Sequence, residues 1–181
     1  MRVITGTARG RRLQTLDGIT TRPTAERVKE ALFSILQFEL EGRRVLDLFA
    51  GSGQLGLEVI SRGAARCVFV DSSRSAVEIV RKNIEACGFS AQCDVVCTDY
   101  NSYLASGREV FDIVLLDPPY DTGILEDALQ RCERSVVPGG VVVCEHPSAQ
   151  TLPPQVGTLI CHKVYRYGKV GVTVYRKAVE E

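Results

Sequence analysis

The sequence predicts a doubly wound α/β fold, on three observations: five short apolar runs, helical segments between them, and a glycine-rich turn after the first run. The runs are Val45 to Phe49, Cys67 to Asp71, Asp94 to Thr98, Ile113 to Leu116 and Val141 to Glu145. Each is nearly continuous in apolar residues, as parallel strands are when helices cover both faces of their sheet. Helices are expected from about Leu55 to Arg62, from about Ser73 to Cys87 and from about Ile124 to Ser135. In the second of these Val77, Val80, Ile84 and Cys87 share one side, and Gly88 is its C-terminal stop. After Pro153-Pro154 the pattern alternates, and Leu159 to Val164 and Val170 to Tyr175 flank Arg166-Tyr167-Gly168-Lys169 as a terminal antiparallel hairpin. The expected sheet is therefore mostly parallel and seven-stranded.

Ahead of the sheet, Arg2-Val3-Ile4-Thr5 and Arg11-Arg12-Leu13-Gln14 alternate about Gly10, which predicts a short hairpin with outward arginines. Thr24, after Pro23, is the expected N-cap of a helix running to about Phe38, with Val28, Ala31, Leu32, Ile35 and Leu36 on its packed face. At 181 residues the chain fits one domain. Residues 1–43 form a hairpin-and-helix extension and residues 44–181 the Rossmann-like core.

Seven cysteines contain no C-x-x-C pair and no histidine spacing suited to zinc, so reduced, mostly buried thiols and no metal are expected. No signal-peptide pattern and no membrane-length apolar run occurs, which predicts a soluble, cytoplasmic protein with no membrane partner, and nothing in the chain calls for more than a monomer. Formal charge is zero but unevenly placed. Residues 1–44 carry a surplus of four positive charges, residues 161–181 a surplus of three, and the stretch between them a deficit of seven. Basic ends on an acidic body suit a polyanion approaching from one side, although ordinary solvated charge gives the same count.

Gly51-Ser52-Gly53-Gln54-Leu55-Gly56 follows a strand and opens a helix, and Asp71 closes the next strand twenty positions after Gly51. This is the G-x-G-x-x-G pattern of an adenosine-containing ligand, with Asp71 able to accept from both ribose hydroxyls. Asp47-Leu48-Phe49-Ala50 puts a carboxylate just before the loop, where a diphosphate would be repelled. A cofactor with an amino-acid tail offers an ammonium there, held by Asp47 directly or through water. Asp99, after the third strand, can accept from an adenine amino group or cap a helix.

Asp117-Pro118-Pro119-Tyr120 ends the fourth apolar run. The prolines lack N–H groups and fix φ, leaving carbonyls aimed without a competing donor beside a carboxylate and a stacking ring. That set suits a planar amine; the plain alternative is a proline-rich turn with a ring plugging the sheet edge. An NAD-dependent dehydrogenase would explain the glycine loop but leaves this tetrapeptide without a role. His146 and His162, the only histidines, offer it no recognisable hydride-transfer setting.

Taken together, Asp47 to Gly53, Asp71, Asp99 and Asp117-Pro118-Pro119-Tyr120 resemble the S-adenosylmethionine-dependent amino-methyltransferases of the Rossmann-like class. Thr21-Arg22-Pro23-Thr24-Ala25-Glu26-Arg27-Val28-Lys29-Glu30-Ala31-Leu32-Phe33 looks like a segment peculiar to the RsmD family, as do Ser61-Arg62-Gly63-Ala64 and Tyr167-Gly168. This resemblance implies a class I methyltransferase fold and methylation of a guanine of 16S ribosomal RNA, free or in the small subunit, on N2. It implies that Asp47, Phe49, Ala50, Gly51, Ser52, Gly53, Asp71, Ser72, Asp99 and Tyr100 bind S-adenosylmethionine, with Asp71 on the ribose and Asp99 by the adenine. Asp117 and the Pro118 carbonyl would take the amine's N–H bonds, Pro119 would stiffen the turn and Tyr120 would stack on the base. Arg9, Arg11, Arg12, Arg22, Arg27 and Lys29 are the expected phosphate contacts. Methylation of DNA adenine, and an RNA-binding ribosome assembly factor without catalysis, are the alternatives.

Overall fold

The computed structural model describes residues 1–16, 23–107, 109–120 and 122–179. Its elements, in chain order, are α1 (Pro23–Leu36), β1 (Arg44–Asp47), α2 (Gln54–Ser61), β2 (Arg66–Asp71), α3 (Arg74–Cys87), β3 (Cys93–Cys97), α4 (Tyr100–Ala105), β4 (Phe111–Leu116), α5 (Ile124–Cys132) with a 3-10 turn Glu133–Ser135, β5 (Val136–Pro147), β6 (Gln155–Val156), β7 (Leu159–Tyr167) and β8 (Val170–Lys177). All eight strands join one sheet in the order β3-β2-β1-β4-β5-β8-β7-β6. β1 to β5 pair in parallel, and β8 and β7 close the far side antiparallel. The strand beyond the expected seven is β6, whose two residues pair with Leu159 and Ile160 and are too few to leave a periodic signal.

Strand side chains alternate between two cores. Val45, Cys67, Phe69, Ile113, Leu115, Val141 and Val143 face the layer containing α1, α2 and α3. Leu46, Val68, Val70, Val114, Leu116, Val142 and Cys144 face the layer containing α5. Burial on both faces explains why these runs lack polar alternation. α2 lies so close to β2 that a Cβ on Gly56 would meet the Phe69 ring at 2.2 Å, so the third glycine of the motif serves helix–sheet packing. α3 starts at Ser73, whose hydroxyl accepts from the Ala76 N–H, and ends at Gly88 in the left-handed conformation (φ 75°).

Four expectations shift. α1 begins at Pro23, so Thr24 lies inside the helix and is not its N-cap; proline fits a first turn because no N–H is needed there. α1 also stops at Leu36, where the Glu39 N–H bonds the Leu36 carbonyl, leaving Phe38 92% exposed. The expected hairpin of residues 1–14 is a loop closed by a single antiparallel bridge, Arg2 to Arg12. The seven cysteines are free, but only Cys67, Cys132 and Cys144 are buried, and Cys97 is exposed. Among the described residues no helix is long and apolar enough to cross a membrane.

The N-terminal loop is fastened to α2 by polar groups. Fully buried Glu58 accepts from the Ile4 and Thr5 N–H groups (2.8 and 2.9 Å) and from Arg62 Nε (2.9 Å). Ser61 Oγ accepts from the Ala8 N–H and donates to the Thr5 carbonyl. Lys29 is itself buried, with Nζ 3.1 Å from the Arg2 carbonyl and 3.8 Å from Glu58 Oε2. The expectation that Lys29 meets phosphate is thereby corrected: the loop folds over its side chain. Burial lowers the Lys29 pKa against the opposing pull of Glu58. Removing one partner of a buried pair strands the other, so Glu58→Ala should lower the unfolding free energy by about 3–5 kcal/mol. It should also free the loop for tryptic cleavage at Arg9, Arg11 and Arg12. Denaturant melts and digestion time courses check this, and a variant matching wild type in both would exclude the anchor.

Candidate active site

The strand order reverses direction at β1 and β4, and a ligand crevice forms at such a switch point beyond the strands' carboxyl ends. The chain leaving β1 crosses there as a tight loop. The Gly51 N–H donates to Asp71 Oδ2 (2.9 Å), and the Ser73 N–H donates to Asp71 Oδ1 (2.8 Å). Asn83 Nδ2 donates to the Ser52 carbonyl (2.9 Å) and to the Gln14 carbonyl (3.0 Å), binding the loop to both α3 and the N-terminal segment. Gly51 has φ 56°, and a Cβ built on it meets nothing within 4 Å, so this stretch of backbone borders open space. Gly53 (φ 82°) starts α2 and packs against Val80 and Phe69.

That space is a cavity of about 700 Å3. Phe49, Ala50, Gly51, Ser52, Asp71 and Ser72 line it from the β1 and β2 side. Asp99 and Tyr100 line it from the end of β3, and Asp117, Pro118, Pro119 and Tyr120 from the end of β4. Twelve of the fourteen expected cofactor and catalytic residues thus share one cavity. The exceptions are Asp47 and Gly53. Asp47 is buried behind the loop, where Oδ2 accepts from the Gly56 N–H (2.9 Å) and Oδ1 has no partner among the described residues. Burial, with a smaller contribution from the charge of Asp71, pushes its pKa up to about 7 against the Gly56 hydrogen bond. Of the two expected holds of Asp47 on a ligand, direct or through water, the packing does not give the direct one: its carboxyl holds the junction of loop and helix.

Asp99 is exposed and caps α4, accepting from the Ser102 N–H (2.9 Å), and the Ser102 hydroxyl and N–H hold its carboxyl below the usual range. The Tyr100 ring lies 5.5 Å from the Phe49 ring, and its hydroxyl donates to Asp127 Oδ2 (2.8 Å). Among the described residues nothing donates to the Asp117 carboxylate. Burial raises its pKa well above normal, helped by the charges of Glu145 and then Asp47.

Glu145 escaped the sequence reading. Parallel pairing of β4 and β5 aligns Leu116 with Cys144, which sets Asp117 and Glu145 side by side where β4 ends and β5 runs on toward Pro147. Tyr120 Oη donates to Glu145 Oε1 (3.0 Å). Burial raises the Glu145 pKa while the Tyr120 hydrogen bond opposes the rise. The signal available beforehand was its place as the last residue of the fifth apolar run. A second cavity of about 520 Å3 lies across the Pro118–Tyr120 ridge, and the two cavities share Pro118, Pro119, Tyr120 and Glu145. His146 is turned away into structure, with Nε2 2.8 Å from Thr173 Oγ1 and Nδ1 2.8 Å from the Pro147 carbonyl.

Of the expected basic contacts, Arg9, Arg11 and Arg12 are exposed on the N-terminal loop and Arg27 is exposed on α1, whereas Arg22 lies outside the described residues. The same loop reaches the site, because Met1 lines the larger cavity and Ser52 Oγ lies 3.7 Å from its sulfur.

A family model described as "Conserved hypothetical protein 95" matches residues 1–176. YlbH of Bacillus subtilis (strain 168) is 38% identical over 182 residues, covering 98% of this chain and 99% of the relative. "Ribosomal RNA small subunit methyltransferase D" of Haemophilus influenzae is 32% identical over 182 residues, covering 97% of this chain and 92% of the relative. The solved structure of the Escherichia coli yhhF protein superposes with a TM-score of 0.90 at 30% identity, covering 99% of both chains. With a Rossmann-like class I methyltransferase sheet and a family match along almost its whole length, the chain belongs to the RsmD family of methyltransferases.

Proposed function

We propose that this protein transfers a methyl group from S-adenosylmethionine to the exocyclic N2 of a guanine in small-subunit ribosomal RNA. The observation that carries the reading is that one cavity joins the glycine loop and Asp71 to the Asp117–Tyr120 tetrapeptide. The residues present fit the cofactor. An open cradle at Gly51 gives room for a ligand against the backbone, Asp71 keeps free lone pairs for ribose hydroxyls, and the Phe49 and Tyr100 rings offer faces for adenine. Asp47 is an acid buried behind the loop, so a cationic ligand there would favour its ionised form whereas a diphosphate would oppose it. When bound, the cofactor supplies a methyl group on positively charged sulfur.

The chain's task is then to make a poor nucleophile attack. A guanine amino group shares its lone pair with the ring, and acceptors on its two N–H bonds turn that pair toward the methyl. Asp117 and the Pro118 carbonyl are those acceptors, and the rigid turn fixes them before the base arrives. Once the new bond forms, the nitrogen sheds a proton readily, and a carboxylate of raised pKa receives it better than an ordinary one. Tyr120 offers its ring to the base, a stacking contact worth about 1–3 kcal/mol that helps hold a splayed-out guanine. The exposed arginines of the N-terminal loop supply the backbone contacts that orient the RNA without specifying it.

Mapping methylated nucleotides in small-subunit RNA from cells lacking the protein tests the function directly: one N2-methylguanine should vanish and return when the purified protein is added. Loss of a methyl group from another atom, or of none, would refute it. Asp117→Ala should cut turnover by at least about a hundredfold while S-adenosylmethionine affinity stays within a few fold, as calorimetry and labelled-methyl assays will show. In the wild type, protonating Asp117 removes acceptor capacity, so kcat/KM should fall as pH falls, with its acid limb above the ordinary carboxylate range. A limb at about pH 4 would contradict the role given to Asp117. Replacing Arg9, Arg11 and Arg12 together with Ala should weaken RNA binding and flatten the slope of log affinity against log salt by roughly 2. An unaltered slope would remove these arginines from the interface.

A further inference from the structure

Glu145 has no place in the chemistry so far, yet its surroundings single it out. It sits one residue past the Cys144–Leu116 pair, beside Asp117 at the tip of the adjoining strand. Neighbouring strands lie about 4.8 Å apart, so the two side chains leave the sheet close together, and both line the same cavity. Glu145 Oε1 is taken by the Tyr120 hydroxyl, whereas Oε2 receives no hydrogen bond from any described residue. It borders both cavities, at the ridge that separates them.

We propose that Glu145 is the residue that selects guanine, its carboxylate accepting the N1–H while Asp117 and the Pro118 carbonyl hold the neighbouring amino group. This rests on the reaction proposed above. On the Watson–Crick edge of guanine, N1–H and the N2 amine are adjacent donors, and two carboxyls side by side present matching acceptors. Adenine presents a lone pair at N1, which would confront the carboxylate, and cytosine presents a lone pair at N3. The Tyr120 hydroxyl occupies one Glu145 oxygen and so sets the direction of the other. A half-buried anion that binds its substrate through a donor rejects any analogue lacking that donor, because the anion is then left unpaired.

The test uses 2-aminopurine, which keeps the N2 amine but has a bare lone pair at N1. Small subunits are reconstituted with RNA carrying guanine or 2-aminopurine at the mapped target, and kcat/KM is measured for each with wild type and with Glu145→Gln. The amide oxygen of Gln still accepts from Tyr120, so the ring keeps its anchor, while the amide N–H2 can serve a lone pair. Wild type should favour guanine, and Glu145→Gln should shrink that preference by roughly 10- to 100-fold. Intrinsic differences between the two amines cancel in the comparison of the two proteins. An unchanged ratio in Glu145→Gln, with wild type methylating guanine N2, overturns the assignment of Glu145 alone. Failure of the wild type to methylate guanine N2 overturns both this assignment and the reaction beneath it.

Discussion

Parallel pairing of β1, β4 and β5 forces carboxyl groups together at one end of the sheet, and the properties of the site follow from that crowding. Asp47 ends β1, and Asp117 and Glu145 follow one another across the β4–β5 pair, all withdrawn from bulk water. Burial, with the charges of Glu145 and then Asp47, drives the pKa of Asp117 upward. Such a place repels phosphate and welcomes cations and N–H donors. A sulfonium, an ammonium and the Watson–Crick edge of guanine are all of that kind, so the sheet's register already favours the ligands of the proposed reaction.

An acidic cavity creates a second requirement, because the proposed substrate is a polyanion. Its backbone must be held by something outside the cavity yet fixed relative to it. The N-terminal loop meets that condition: its arginines face solvent, Met1 reaches the cavity wall, and Glu58 and Ser61 fasten its backbone to α2. Part of the Ser61-Arg62-Gly63-Ala64 motif thereby gains a physical reason. Arg62 bonds Glu58 and also lies over the Phe33 ring at 4.9 Å, tying α1 to the same anchor. Gly6 belongs to this joint as well, since a Cβ there would run into the Ser61 carbonyl.

What could be read from the sequence was local. Apolar runs marked β1 to β5 because two-sided burial leaves no polar alternation, and Gly51, Asp71 and Asp117 to Tyr120 were legible because strand ends in a doubly wound sheet converge. What could not be read was non-local. Glu145 depends on which strand pairs with which, and in what register. Lys29 neighbours Val28 on α1, and only the loop closing over it turns a solvent-facing position into a buried one. α4 has six residues, too short for periodicity to speak, although Asp99 was recognised as a possible cap. The burial of Asp47 as an acceptor for the Gly56 N–H is likewise non-local, because the loop folds back over it.

The Tyr120–Glu145 hydrogen bond joins these parts. Tyr120 is 41% exposed on a turn, where a ring would otherwise sample several rotamers, and its hydroxyl is tied to Glu145 on the adjacent strand. Backbone rigidity from Pro118 and Pro119 fixes one end of the residue and Glu145 fixes the other. In the proposed reaction, a ring held at both ends would lose little entropy when a base arrives, so more of the stacking energy would be left to keep that base out of its own helix. The same bond leaves Glu145 with one oxygen committed and one open toward the ridge between the two cavities. In this arrangement a single carboxyl both steadies the surface on which a base would lie and presents the acceptor that would identify it.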